Sequence, residues 1–340
     1  MTTELIVQTT SLPSVMEELR ERAGEYVKNA HSKNTQRAYK TDWEHFETWC
    51  LSHDRTCFPA DVFETIVPYL TAHAGALKVS TLLRRLTAIR VIHRARGTKL
   101  DTSDERFRVF WQGLRNKHRV RPTKKAPLMS PDLRRAIQAL PPTLQGHRDR
   151  ALLLIGFAAG LRRSELAGLW AAQDAEAPGW IEETSDGLVV QLASSKTNQA
   201  GEEEIIGVPF GKDETVCPVR AYRAWLAISG IATGPVFRPI SRHGKMASAA
   251  ITGAGVALVV KRVVGNMALA EGLTLDKALS LASTYSGHSL RSGLATSAAK
   301  NRAPGHAIQR QLRHKSFATT LEYIRIGSLF EGNAASFALE

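Results

Sequence analysis

The stretch Gly-His-Ser-Leu-Arg at 287–291 decides how this chain is interpreted, together with the motifs around it. Arg-His at 313–314 follows, and Tyr323 stands nine residues after the histidine. Upstream lie Gly-Leu-Arg-Arg-Ser-Glu-Leu at 160–166 and Ser-Lys-Thr at 195–197. Arginine forks bind phosphate oxygens in pairs, and a tyrosine becomes a covalent nucleophile when nearby cations stabilise its anion. The set therefore supplies what is needed to hold a phosphodiester and attack it without a metal.

The net charge of the chain indicates a polyanionic partner. The 340 residues include 45 Lys and Arg against 32 Asp and Glu, which gives a formal net charge of +13. In a globular protein such a surplus indicates nucleic acid, and a basic surface that is merely solvated is the alternative. The length suits about two domains. The apolar share of 43% argues against general disorder.

The sequence also predicts where the protein acts. No stretch approaches the roughly 20 apolar residues that cross a bilayer, and the first residues lack the apolar core of a secretory signal. Cys50, Cys57 and Cys217 have no metal-ligand spacing. We therefore expect a cytoplasmic protein, associated with the nucleoid when it binds DNA, with reduced thiols and no membrane partner.

Hydrophobic periodicity predicts a flexible arm at 1–13 and a helical first domain over 14–118, with helices that include 80–97 and 104–118. Two apolar stripes at helical spacing support this prediction. Their members are Tyr39, Trp43, Phe46 and Cys50 in the first stripe, and Leu82, Leu86 and Ile89 in the second. Such stripes are typical of helix cores.

Basic residues of this domain and of the following segment are candidates for DNA contact. Those in the 80–97 helix lack acidic partners at i+4, so their charge is not cancelled locally, although a solvated helix face is the alternative. The segment 119–129 combines basic residues with prolines, which is typical of an extended linker that can lie along phosphates. The candidates are Lys78, Arg84, Arg85, Arg90, Arg94, Lys117, Arg119, Arg121, Lys124 and Lys125.

Residues 130–340 form the predicted second domain, which is mostly helical with a small antiparallel sheet. The apolar run at 151–159 predicts a buried helix. Alternation of apolar residues predicts extended strands over 180–193 and 203–208. The polar segment between them predicts a β-hairpin with Lys196 at its turn.

In chain order the motif residues resemble the catalytic pattern of the tyrosine recombinase, or phage integrase, family. The likeness extends from about residue 30 to the end, and the segments 285–291 and 323–325 are most similar to the Cre recombinase branch. The matching positions are Arg162, Lys196, His288, Arg291, His314 and Tyr323. The resemblance implies a mainly α fold, with a helical core-binding domain before a mixed α/β catalytic domain.

The resemblance implies that four residues hold the scissile phosphate. Arg162 and Arg291 would clamp its non-bridging oxygens and stabilise the charge of the transition state. Glu165 would orient this clamp, and His314 would donate to a non-bridging oxygen. The family usually has a glycine at the position of Arg313. This arginine either adds a phosphate contact or changes how His314 enters the site.

The remaining matches would break the DNA strand. Tyr323 would attack the phosphate and form a 3′-phosphotyrosyl link, and His288 would help to deprotonate the tyrosine and brace the phosphate. Lys196 would protonate the departing 5′ oxygen as general acid. The bond energy stays in the link, so neither ATP nor a metal is expected. In agreement, the sequence has no GxxxxGK[ST] loop, no HExxH and no acidic cluster of the two-metal kind.

The implied function is site-specific recombination of double-stranded DNA at paired inverted-repeat sites. The resemblance implies a homotetramer in which a C-terminal helix at about 327–340 docks on the neighbouring protomer, whereas packing on its own domain is the alternative. Two other functions stay open. One is relaxation of DNA by a type IB-like topoisomerase, and the other is sequence-specific DNA binding by a catalytically silent protein. The DNA sequence and any accessory proteins are not predicted.

Overall fold

The chain folds into two compact units, Met1–Thr123 and Lys124–Glu340, and each is described by itself. The computed structural model describes Glu17, Leu19 and the ranges 33–120, 124–193 and 204–327. Several predicted features lie outside the described residues. They are the arm at 1–13, Arg121 of the linker, Lys196 and its turn, and the docking helix beyond residue 327.

The described part of the first unit is helical, as its periodicity predicts. Its elements are α1 (Lys33–Ser52), a short π-helix (Val62–Ile66), α2 (Val67–His73), α3 (Val79–Ala95) and α4 (Glu105–Lys117). The two predicted stripes meet in one core, because an apolar face on each helix is removed from water by packing on the other. Its buried members from α1 and α3 are Trp43, Phe46, Cys50, Leu82, Leu86 and Ile89. Tyr39 is only partly buried.

Aspartates cap two of these helices. The carboxylate of Asp61 accepts hydrogen bonds from the backbone N–H groups of Phe63 at 2.7 Å and Glu64 at 2.8 Å. Asp104 accepts one from the N–H of Arg106 at 2.8 Å. Each cap satisfies donors that the first helical turn leaves without a partner. The cap at Asp104 explains why the helix predicted over 104–118 begins at the next residue.

The second unit combines helices with one small sheet. Its strands are β1 (Leu169–Trp170), β2 (Gly179–Thr184), β3 (Gly187–Leu192) and β4 (Glu204–Pro209). Its α-helices are α5 (Ser130–Gln138), α6 (Leu144–Ala158), α7 (Arg163–Ala167), α8 (Pro218–Ser229), α9 (Gly253–Ala270), α10 (Leu275–Thr284), α11 (His288–Lys300), α12 (Gly305–Leu312) and α13 (Phe317–Gly327). The predicted class, mainly α with a small sheet, is confirmed.

The sheet differs from the prediction in two respects. Its order is β1-β2-β3-β4, and β1 pairs parallel to β2, so the sheet is mixed rather than wholly antiparallel. The continuous strand predicted over 180–193 is wrong, because β2 and β3 form an antiparallel hairpin there. The chain reverses before Gly187, whose φ of 146° and closeness to the Val208 carbonyl leave no room for a side chain. β3 and β4 pair antiparallel, as predicted for the flanks of the Lys196 turn.

Helix α6 lies at the centre of the second core. Its residues 151–155 are all buried, as the apolar run predicts. A Cβ at Gly156 would lie 2.7 Å from the side chain of Leu166 and 2.9 Å from that of Leu290. The absence of a side chain therefore lets α6 pack closely against α7 and α11. This packing brings together the segments at 160–166 and 287–291.

Helix α9 comes closer to a membrane span than the sequence predicts. It has 18 residues with a mean hydropathy of 1.4, which is enough by length and composition alone. Its buried side chains nevertheless belong to the core of the second unit, and they include Val256, Val260, Val263 and Val264. We therefore interpret α9 as a core helix of the second unit.

Candidate active site

Arg162 and Glu165 form a closed local unit at the start of α7. The chain leaves α6 through Gly160, whose φ is 58°, and Arg162 is extended at the N-cap position of α7. The Glu165 carboxylate accepts from the backbone N–H of Arg162 at 2.9 Å and from its Nη1 at 2.5 Å. Their spacing of three residues would place both on one helix face if the helix included Arg162. The structure instead places the arginine before the helix, where the glutamate holds both its backbone and its guanidinium.

Arg291 is fixed by backbone carbonyls from two other segments. It lies one turn after His288 in α11 and is 2% exposed. Its Nη1 donates to the carbonyl of Gly160 at 2.5 Å, and its Nη2 donates to that of Leu312. Burial and the charge of Arg162 lower the pKa of Arg291 to about 10. A single side chain thus joins the three motif segments.

Tyr323 contacts both predicted histidines. Its Oη lies 3.3 Å from Nε2 of His288, within hydrogen-bond distance. Its ring stacks on that of His314, with centroids 5.9 Å apart and planes at 15°. His314 Nδ1 is in turn 2.9 Å from the hydroxyl of Thr320. The half-buried Tyr323 therefore has Nε2 of His288 beside its hydroxyl and the imidazole of His314 stacked on its ring.

The electrostatics of the site keep both histidines neutral. Burial, followed by the charges of Arg291 and Arg162, lowers the pKa of His288 and brings the pKa of His314 to about 4. Burial raises the pKa of Tyr323, although the charge of Arg291 opposes it. The neighbouring Arg291 thus lowers the cost of the tyrosine anion, as expected, but burial outweighs it. A neutral His288 can accept the proton that Tyr323 retains.

Arg313 occupies a backbone conformation that favours glycine. It ends α12 with φ of 53° and ψ of 47°, a region where a Cβ crowds the following carbonyl. Its Nη2 lies 2.7 Å from Glu165, and its Nη1 lies 2.9 Å from Glu204 of β4. Of the two consequences left open for Arg313, a phosphate contact is disfavoured, because two carboxylates already neutralise its charge, whereas the partners of Arg291 are uncharged carbonyls.

Glu165 is consequently held by two arginines. Burial would raise the pKa of Glu165, but the charge and hydrogen bond of Arg313, with the backbone and side-chain hydrogen bonds of Arg162, outweigh burial and lower it. Sequence reasoning missed the contact with Arg313. The one signal for it was the arginine at a position where the resembled family has glycine.

The predicted DNA-contacting residues fall into two groups. Arg84 and Arg85 of α3 approach the buried Asp42 of α1, at 3.1 Å and 3.8 Å. The expectation that their charge is uncancelled is therefore wrong, because the acid comes from another helix rather than from i+4. Of the linker residues, Lys124 pairs with Glu322 at 2.7 Å, and Lys125 donates to the Ser283 carbonyl at 2.7 Å.

The other candidates for DNA contact are exposed to solvent, and they are Lys78, Arg90, Arg94, Lys117 and Arg119. Within the described ranges, no group of three or more His, Cys, Asp or Glu side chains is placed to hold a metal ion. Cys50, Cys57 and Cys217 are free thiols.

Comparison with known proteins adds relatives over nearly the whole chain. The chain is 34% identical over 322 residues to an "Integrase/recombinase xerD homolog" of Selenomonas ruminantium, covering 94% of this chain and 89% of the relative. No protein-family model matches it.

Two solved structures share its fold. The Tn1549 transposon integrase in complex with transposon right end DNA has a TM-score of 0.54 and 14% identity, with 95% of each chain covered. A lambda integrase dimer bound to a COC′ core site has a TM-score of 0.52 and 13% identity, with 95% of this chain and 83% of that chain covered.

Proposed function

Because the chain belongs to the tyrosine recombinase (phage integrase) family, we propose that it is a site-specific DNA recombinase that cuts and rejoins strands through a 3′-phosphotyrosyl link. One observation carries the proposal. The Oη of Tyr323 lies 3.3 Å from Nε2 of His288. His288 itself lies one helical turn before the buried Arg291. A nucleophile, a neutral base and a phosphate-binding cation are therefore within one small region.

The cleavage step uses these residues in distinct roles. The Tyr323 oxygen attacks phosphorus while its proton passes to Nε2 of His288, and the bond to the 5′ oxygen breaks. Arg162 and Arg291 donate to the non-bridging oxygens, whose charge grows in the transition state. Because Arg291 is already fixed by two carbonyls, little reorganisation accompanies the step. His314 donates to the same phosphate.

Lys196 supplies the proton for the leaving 5′ oxygen in this proposal. It lies outside the described residues, between the paired strands β3 and β4. The 5′ hydroxyl of a second strand then attacks the phosphotyrosyl link and passes its proton to Lys196. The bond between phosphorus and Tyr323 breaks, and His288 returns its proton to the tyrosine oxygen. The bond count is unchanged, so the reaction requires neither ATP nor a metal.

Site-specific binding is proposed for the first unit and the basic segment after it. Exposed Lys78, Arg90 and Arg94 supply positive charge on or beside α3, and the net charge of +13 favours a duplex partner. We propose a clamp in which 14–118, 119–129 and 130–340 close on one half of an inverted repeat. Four protomers on two sites, joined through their C-terminal segments, would then exchange strands within the cytoplasm.

Covalent trapping tests this proposal. DNA that is bound by the Tyr323→Phe protein is recovered and sequenced, and the site is rebuilt with a nick that lets the 5′ fragment escape. The native protein should accumulate a covalent adduct on it, and Tyr323→Phe should bind but form none. Tyr285→Phe is the matched control, because Tyr285 is buried in the core and should be dispensable. An adduct on Tyr285, or none in the native protein, would refute the proposal.

Paired sites with different flanking sequences separate recombination from the alternatives. Exchange of the flanks supports a recombinase, whereas an adduct with relaxation of supercoiled DNA and no exchange supports a topoisomerase. Specific binding without an adduct identifies a silent DNA-binding protein.

A further inference from the structure

Arg313 stands where several physical terms disfavour an arginine. Its backbone is left-handed, with φ of 53°, and its side chain is only 9% exposed. Among the described residues, its buried Nε has no hydrogen-bond partner. Left-handed backbone and unsatisfied buried donors both destabilise the folded state, and glycine would avoid both. An arginine at this position therefore needs an explanation in the contacts that it makes.

Those contacts join three elements that are distant in sequence. The Nη2 atom binds Glu165 of α7 at 2.7 Å, and Nη1 binds Glu204 of β4 at 2.9 Å. The same Glu165 carboxylate holds the guanidinium of Arg162 at 2.5 Å. A planar guanidinium can serve two carboxylates at once in a fixed geometry, which a lysine cannot reproduce.

We propose that Arg313 is a positioning residue that holds Glu165 in place for Arg162 and fixes this pair to strand β4. The inference rests on the proposed function, because Arg162 is taken there as a phosphate-binding group. Arg313 itself touches no reacting atom in this scheme. It acts through Glu165.

The charges around Glu165 give the inference a measurable consequence. Glu165 faces Arg162 and Arg313 directly, with Arg291 near enough to interact and Glu204 on the far side of the Arg313 guanidinium. Without Arg313, the buried Glu165 would lose its strongest cation and gain an acid as neighbour, and both changes raise its pKa. A protonated Glu165 would hold Arg162 less well.

The test compares Arg313→Gly with Arg302→Gly. Arg302 is an exposed arginine that also has left-handed backbone, with φ of 60°. Each variant loses one positive charge and places a glycine at a left-handed position. The two variants therefore lose the same general attraction to DNA and gain the same relief of backbone strain. Single-turnover cleavage of the nicked site is measured from pH 6 to pH 8.5, with thermal unfolding as a check of the fold.

Arg313→Gly should cleave about 10-fold more slowly near neutral pH, within the range of coupling between contacting groups. Its defect should grow as pH falls, because Glu165 takes up a proton in this variant and remains ionised in the native protein. Arg302→Gly should follow the native profile. The ratio of rates at pH 8 and pH 6 within one variant is compared after thermal unfolding has shown the same folded fraction at both pH values. Equal ratios in the two variants would overturn the inference.

A second background identifies the titrating group. When Glu165→Gln is combined with Arg313→Gly, the added pH dependence should disappear, because glutamine does not titrate. If it persists, another group such as His314 responds to Arg313, and the assignment to Glu165 is wrong. Arg313→Lys should keep the charge but restore the rate only in part.

Failure of this inference is distinguishable from failure of the proposed function. If the native protein forms no covalent adduct, the function fails. If native and Arg302→Gly proteins both cleave and Arg313→Gly matches them in rate and pH profile, only the inference fails.

Discussion

The arginines of α3 and those of the candidate active site differ in what surrounds them. Arg90 and Arg94 are exposed on a helix surface, whereas Arg291 is buried and bonded to the carbonyls of Gly160 and Leu312. A charge that is fixed beforehand stabilises a transition state without reorganisation, while a surface charge mainly attracts the polyanion. We infer that an arginine is suited to stabilising the transition state when it is buried and held by hydrogen bonds. An exposed arginine is suited to attracting DNA, and the number of arginines in a region does not separate the two roles.

Salt should affect the two groups of arginines most unequally. If the proposed clamp neutralises about 6–10 phosphates, the affinity of Tyr323→Phe for its site should fall roughly 10³–10⁵-fold between 50 and 200 mM salt. The cleavage rate of a complex already formed by the native protein should hardly change, because Arg291 is shielded from ions. Filter binding and single-turnover cleavage measure the two quantities. An affinity that is insensitive to salt would remove the basis for the clamp.

Removing an arginine of the candidate active site should affect cleavage far more than binding. Arg162→Ala and Arg291→Ala should each reduce cleavage of bound DNA on the order of 10²–10³-fold, the usual effect of losing a fixed donor to the transition state. Rapid-quench experiments at saturating DNA concentration report this rate. Arg94→Ala is the control from α3 and should cleave normally once bound. Near-normal cleavage by Arg291→Ala would show that its burial serves the fold alone.

Substitution of two arginines of α3 should give the smallest effects, and the two should differ in kind: one on DNA affinity and the other on stability. Arg90→Ala should lower the salt slope of affinity by about one unit and leave stability unchanged. Arg85→Ala should instead lower the free energy of unfolding by about 1–3 kcal/mol. Its guanidinium donates to the Tyr69 hydroxyl at 3.2 Å and approaches the buried Asp42. Thermal unfolding and titration with DNA separate the two. If Arg90→Ala lowered stability and Arg85→Ala lowered only the salt dependence of affinity, the distinction between exposed and paired arginines would be wrong.

Local patterns made the helical parts of this fold predictable. The stripes of α1 and α3 follow from the period of a single helix, and the run in α6 follows from continuous burial. The break between β2 and β3 was missed, because the alternation at Leu188, Val190 and Leu192 was extended back over β2, which does not alternate, and across the two-residue turn at Ser185 and Asp186.

Contacts between residues distant in sequence limit how much of the candidate active site could be predicted from the sequence. Motif order predicted that Arg162, His288, Arg291 and Tyr323 belong together, and the structure brings them together. The pairing of Arg84 with Asp42 joins two helices, and no spacing along one helix predicts it. The contact of Arg313 with Glu165 spans 148 residues, and it depends on the backbone angle where α12 ends.

The hydrogen bonds of Arg291 also determine at which point of protein synthesis the candidate active site can form. They connect it to residues 131 positions before it and 21 positions after it, and Tyr323 follows later still. A chain emerging from the ribosome thus has no assembled centre until its 323rd residue has been released. If the first unit binds DNA as proposed, nascent or prematurely terminated chains would bind DNA without the means to cut it. In the proposed mechanism, strand breakage is therefore confined to molecules whose translation has passed Tyr323.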